Sequence, residues 1–162
     1  MDTLELLAAK DAIGDTAKRY CRGIDRCDAD LVKSAYHADA YDDHGTFKGN
    51  AWEFAELATQ ALRRYKATMH ANMNHLITDV DLGAGTATGE LYTVAYHLRE
   101  DAGRQTVDIW WGRYLDRYTR REGDWRIAHR VCVHEWTMQL PIDQAMVIPA
   151  ELFQAGSFDR KA

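Results

Sequence analysis

Apolar residues in the first part of the chain recur at helical intervals. Leu6, Ile13, Ala17, Tyr20 and Ile24 fall three, four or seven positions apart, which predicts one striped helix from about Thr3 to Arg26. Asp28 then stands where an N-cap is wanted, and "ADLVKSAYHADA" predicts a short second helix. "YDDHGTFKG" predicts a strand or hairpin turning on its glycines. "NAWEFAELATQALRRYKA" predicts a third helix capped by Asn50, with Phe54, Leu57, Ala58, Ala61, Leu62 and Tyr65 as its stripe. From residue 68 the period falls to two. Four long segments, "TMHANMNHLITDVDL", "TATGELYTVAYHLRE", "QTVDIWWGRYLDRYTRR" and "WRIAHRVCVHEWTMQL", are separated by "GAG", "DAG" and "EGD". Short glycine turns between alternating segments predict an antiparallel meander.

Helices first and a sheet afterwards is an α+β arrangement, with helices packed on one face of a curved antiparallel sheet. The strands carry Tyr92, Tyr96, Trp110, Trp111, Tyr114, Trp125 and Trp136. A curved sheet closed by helices over such a face can hold a pocket for an apolar, cyclic ligand. The length of 162 residues suits one domain. Composition shifts after Pro141, so residues 1–140 are expected to form the domain. Residues 141–162 are expected to be a tail that caps the pocket or contacts a second copy.

Charge narrows the function class. A net charge of −5 without a basic patch argues against nucleic acid. No apolar run approaches the roughly 18 residues of a membrane span, and the acidic N-terminus does not read as a signal peptide. A cytoplasmic protein is the default. Cys21, Cys27 and Cys132 are odd in number and form no CxxC, which argues against a disulfide framework or a zinc site.

Candidate chemistry sits at a few positions. Asp25 closes the first helix, where the helix dipole disfavours a carboxylate. It is either a solvated turn residue or, if buried, a carboxyl with a raised pKa in need of a donor. Alternation places His75 in a row with Met69, Ala71, Met73 and Ile77, pointing toward the core. That histidine either bonds a backbone carbonyl or, oriented by an aspartate, serves as a general base. Arg130 shares a row with Ala128, Cys132, His134, Trp136 and Met138, and either snorkels outward or meets a buried anion. Tyr20 lies on the helical stripe, as core or as a proton donor at a cavity wall. Tyr41, His44, Met73, Trp111, His134 and Trp136 are candidate substrate contacts. Asp42, Asp43 and His44 invite a metal reading, but neighbours on a strand face opposite ways, and no metal or cofactor is expected. Cys132 reads as a small buried hydrophobe rather than a nucleophile.

"YCRGIDRCD", "ADAYDDHGTFKG", "NHLITDVDL" and "DWRIAHRVCVHEW" occur in this order over residues 5 to 140. In this the chain resembles SnoaL-like members of the nuclear transport factor two superfamily, similar to the hexachlorocyclohexane dehydrochlorinase, bile acid 7α-dehydratase and scytalone dehydratase families. The resemblance implies a cone-shaped fold. It also implies an aspartate at the end of helix one that orients a histidine on the strand after helix three, for a cofactor-independent elimination. By that resemblance Asp25 is the orienting acid and His75 the base. Tyr20 matches the tyrosine of the bile acid dehydratase, where the dehydrochlorinase has lysine, which favours an oxygen leaving group. Arg130 matches the arginine that assists departure. The segment around Tyr41 is shorter than in the dehydrochlorinase.

The expectation is a lyase of dehydratase type acting on a small hydrophobic aromatic or polycyclic substrate. The alternatives are an aldehyde-lyase releasing formaldehyde from a lignin-derived aromatic diol, a ketosteroid-type isomerase, and a non-catalytic ligand-binding module. The resemblance further implies a homotrimer, with a dimer as the alternative.

Overall fold

The structure is a computed structural model that describes residues 3–158. Three helices, α1 (Thr3–Asp25), α2 (Ala29–Ser34) and α3 (Ala51–Leu62), accompany six strands. These are β1 (Tyr36–Asp43), β2 (Lys48–Asn50), β3 (Ala67–Asp81), β4 (Thr86–Asp101), β5 (Arg104–Arg121) and β6 (Asp124–Ile142). They form one sheet in the order β2-β1-β6-β5-β4-β3, with β1 parallel to β6 and every other neighbour antiparallel. This is the expected α+β class, an open and curled sheet with its helices on the concave side.

The predicted stripe of α1 is the face that packs: Ile13, Ala17, Tyr20 and Ile24 are buried. Gly23 lets α2 approach, since a Cβ there would lie 2.7 Å from the Val32 side chain and backbone. Asp28 caps α2 by accepting from the Leu31 amide, and Asn50 caps α3 by accepting from the Trp52 and Glu53 amides. Such caps stabilise a helix by about 1 kcal/mol. The second helix is shorter than its pattern predicts, because from Tyr36 the chain pairs with β6 and becomes β1. In α3 the packed face is Ala51, Phe54, Ala55 and Thr59, whereas Leu57, expected on the stripe, is exposed.

The β4–β5 and β5–β6 hairpins turn on Ala102–Gly103 and Glu122–Gly123, all four with positive φ. That is the backbone twist two-residue hairpins need. Curvature comes from bulges. In β3, Asn72 pairs with Thr93 and His75 with Leu91, so three steps on one strand oppose two on the other. Strand β6 shifts register twice against β5, between Ile127 and His129 and between His134 and Trp136. Each bulge bends its strand and exchanges its faces.

Under the concave face the core joins Ile13, Tyr20, Ile24, Val32, Tyr36, Leu91, Tyr118, Trp125 and Ile127. Strand β6 runs two residues past the expected domain limit at 140, with Pro141 paired to Thr106. Beyond it the chain has little regular structure, and Met146, Val147, Leu152 and Phe153 are exposed. The tail returns to the end of α1, where Arg26 Nη1 donates to the Ser157 carbonyl at 2.6 Å. The last four residues of the expected tail, 159–162, lie outside the described residues, as do residues 1 and 2. Among the described residues no helix is long and apolar enough to cross a membrane.

Candidate functional site

A cavity of about 270 Å³ opens between α1, α3 and the concave face. Its lining is mostly apolar and aromatic, including Ile24, Phe54, Leu62, Trp110 and Tyr114. Gly112 makes room for this lining, because a Cβ there would lie 2.1 Å from the Trp110 ring. Three imidazoles face the cavity: His44, His70 and His97.

Asp25 ends α1 against the start of β3. One of its oxygens accepts from His70 Nδ1 at 2.7 Å and from the Thr68 hydroxyl at 3.1 Å, and the other accepts from the His70 amide at 2.8 Å. Burial works against the Asp25 carboxylate, but the bonds and charge of His70, with the Thr68 bond, outweigh it and hold its pKa below the ordinary value. The raised pKa expected of a buried Asp25 is therefore corrected: the required partner is present. Because Nδ1 donates to Asp25, Nε2 of His70 is the nitrogen left to take a proton. The His97 ring stands edge-on to His70 at 5.6 Å. Burial, with the charge of His70 beside it, pushes His97 down to about 4.

The expected partner of Asp25 was His75, and that contact does not form. The bulge after Asn72 reverses the alternation: Thr68 and Asn72 reach inward to Asp25 and Cys21, while Met69 and Met73 are exposed. His75 returns to the inner face below the cavity, where its Nε2 lies 3.3 Å from the Tyr118 hydroxyl. Burial lowers its pKa.

The opposite edge of the sheet supplies a second held imidazole. His44 Nδ1 bonds Asp42, which is fully buried and also accepts from the Tyr36 hydroxyl at 2.7 Å. His44 Nε2 lies 3.2 Å from the Tyr20 hydroxyl, and its ring stacks on Phe54 at 4.1 Å. Burial raises the Tyr20 pKa well above the ordinary phenol value, so Tyr20 keeps its proton as a donor. Asp43 turns away to Lys48.

Arg130 lies beneath the cavity rather than in its wall. It is fully buried and donates through Nε and Nη2 to the two Asp116 oxygens, each at 2.7 Å. Tyr20 and Tyr114 cover its guanidinium at 4.3 and 4.1 Å. Direct contact between Arg130 and a leaving group is thus blocked by the two tyrosines.

The remaining expected contacts divide. Tyr20 and His44 line the cavity. His134 stacks on Trp110, which lines it. Trp111 and Trp136 stack on each other at 3.7 Å, on the convex face, away from the cavity. Met73 is exposed, and Tyr41 stacks on His129. Burial pushes the Cys132 thiol up to about 12, which leaves it an uncharged lining group.

Sequence reasoning missed His70 and His97. In "TMHANMNHLI" the row that packs inward begins Thr68, His70, Asn72, and it reads as the solvent face because it is polar. Two histidines on opposite parities of one strand were the available signal.

Among known folds, the hexachlorocyclohexane dehydrochlorinase LinA type 2 superposes with a TM-score of 0.76 at 21% identity, over 92% of this chain and 99% of that one. A LinA type 3 dehydrochlorinase from Novosphingobium barchaimii gives 0.73 at 18%, over 91% and 99%. A protein assigned as a scytalone dehydratase, from Novosphingobium aromaticivorans, gives 0.73 at 19%, over 90% and 100%. At these identities the likeness establishes the fold. No curated protein matches the sequence. The SnoaL-like domain family matches residues 5–131, most of the chain, and with helices leading into one curled sheet around a cavity, the protein belongs to that family.

Proposed function

We propose that the protein is a cofactor-independent lyase of dehydratase type, acting on a small hydrophobic substrate that carries a ring. The observation that carries this reading is the Asp25–His70 pair on the wall of an apolar, aromatic cavity. In it His70 Nε2 removes a proton from a substrate carbon. Asp25 keeps the ring oriented and stabilises the imidazolium that results. The pair thus takes the part expected of Asp25 and His75. Tyr20 donates to the departing oxygen. Arg130 acts from behind, as a fixed positive charge under the Tyr20 and Tyr114 rings. A general base contributes on the order of 10² to 10⁴ in rate, so the cavity must supply the rest by positioning and exclusion of water.

The fold neighbours named as a dehydrochlorinase and as a scytalone dehydratase support an elimination over a purely binding role. The tyrosine at position 20 favours an oxygen leaving group over a halide. A homo-oligomer, expected as a trimer, is part of this reading, and the exposed Met69, Leu76 and Trp136 side chains on the convex face support it.

The test is incubation in D₂O with hydroxylated aromatic ketones and steroids, followed by mass spectrometry. Wild type should dehydrate at least one of them, and His70→Gln should not. A wild-type protein that dehydrates none, or a His70→Gln variant as active as wild type, overturns the proposal.

A further inference from the structure

We propose that Tyr20, His44 and Asp42 form a proton relay on the wall facing His70, so that the cavity holds an acid half as well as a base half. The inference rests on the lyase reading above and deepens it by assigning the path of the leaving group's proton.

Three observations carry it. First, the two imidazoles come from opposite edges of the sheet, His70 from β3 and His44 from the turn after β1, yet both line one cavity. Second, each is held through Nδ1 by its own buried aspartate, Asp25 or Asp42, which leaves Nε2 for chemistry. Third, His44 Nε2 meets the Tyr20 hydroxyl at 3.2 Å, and Tyr20 itself lines the cavity. A histidine kept for packing alone has no need of a cavity-lining phenol at its free nitrogen. Asp42 is the positioning residue: it is fully buried, anchored by the Tyr36 hydroxyl, and fixes both the tautomer and the ring plane.

His70 Nε2 takes the proton from carbon. That C–H electron pair becomes the new C=C bond, and the C–O bond breaks with its pair leaving on oxygen. The departing oxygen takes the Tyr20 phenolic proton. The Tyr20 oxygen in turn takes the Nε2 proton of a His44 imidazolium. The products are the alkene and water. His70 ends protonated and His44 neutral, and one proton returned through solvent from the first to the second resets the site.

Two probes of one skeleton test the relay: 3-hydroxy-1-phenylpropan-1-one, which must expel hydroxide, and its 3-(4-nitrophenoxy) analogue, which expels a stable anion. His44→Gln and Tyr20→Phe should each lower kcat on the hydroxy probe by about 10² to 10³, the scale of a lost general acid. On the nitrophenoxy probe the loss should stay under about tenfold. His70→Gln should lower both probes equally. Equal losses on both probes for His44→Gln would make His44 structural and overturn the relay while leaving the base intact. A wild-type protein inert toward both probes counts against the lyase reading instead.

A substrate-free measurement then decides the relay separately. Imidazole ¹⁵N NMR, assigned with His44→Gln, should find neutral His44 protonated on Nδ1, with an Nε2 signal that moves in Tyr20→Phe. A neutral ring protonated on Nε2 would overturn the relay, because a ring that has given its Nε2 proton to Tyr20 must keep the one on Nδ1.

Discussion

Two buried pairs of an aspartate with a basic side chain do different work in this molecule. Arg130–Asp116 sits under the cavity floor, wholly buried, with two parallel bonds and three tyrosine rings around the guanidinium. Asp25–His70 sits in the cavity wall, where one member keeps a ring nitrogen uncommitted to its partner. Both involve charge and burial, so neither property marks the site. The difference is access: Arg130 Nη1 also lacks a partner, but it is buried with the rest of the guanidinium. Asp116 spends its oxygens on Arg130 and Tyr118, and aromatic faces close off the pair. The Asp25 oxygens are equally spent, but on a group that still has a lone pair to offer.

The largest expected effect tests the wall. His70→Gln should cut turnover by about 10² to 10⁴ while the urea midpoint changes little. A variant that loses activity only by unfolding would erase the contrast. Next comes the floor. Arg130→Met leaves Asp116 buried without its cation and should cost about 3–5 kcal/mol, read by urea denaturation. A variant as stable as wild type would show that the pair is dispensable to the fold.

A pH series sharpens the comparison further. His97 titrates at about 4 when folded against 6.5 ordinarily, so the unfolded chain binds its proton first as pH falls. Its contribution is whole above pH 6.5 and is lost as pH drops to about 4, for a total of about 3 kcal/mol at most. His75 is shifted the same way and adds to the slope. Asp25 is depressed too, and its share goes only below the ordinary carboxylate range. Urea midpoints at pH 7 and 4.5 check this, and His97→Asn should flatten the difference. The smallest effect is expected at His75, which ends the Tyr118–Asp116 chain away from the cavity. His75→Gln should cost about 1 kcal/mol or less and leave turnover intact. A large loss of turnover there would return the base to His75.

Much of this was legible along the chain. The stripe of α1, the caps at Asp28 and Asn50, and the glycine turns are local, and each formed where its own residues predicted. Asp25 was legible as an acid at a helix end, and Tyr20 as a phenol on the buried stripe. The site failed where it depended on strand parity. Met69, Met73, Trp111 and Trp136 look like the inward row because they are apolar, yet they lie on the convex face. Their true neighbours are set by bulges in β3 and β6, which leave no mark in the composition.

The sequence by itself determined the elements, their order and the class of fold, because helix period, caps and hairpin turns depend on residues a few positions apart. Only the tertiary structure decided which imidazole meets Asp25. A strand changes face with every residue, so the one extra residue between Asn72 and His75, placed by pairing with β4, left His70 facing inward and set His75 beneath the cavity.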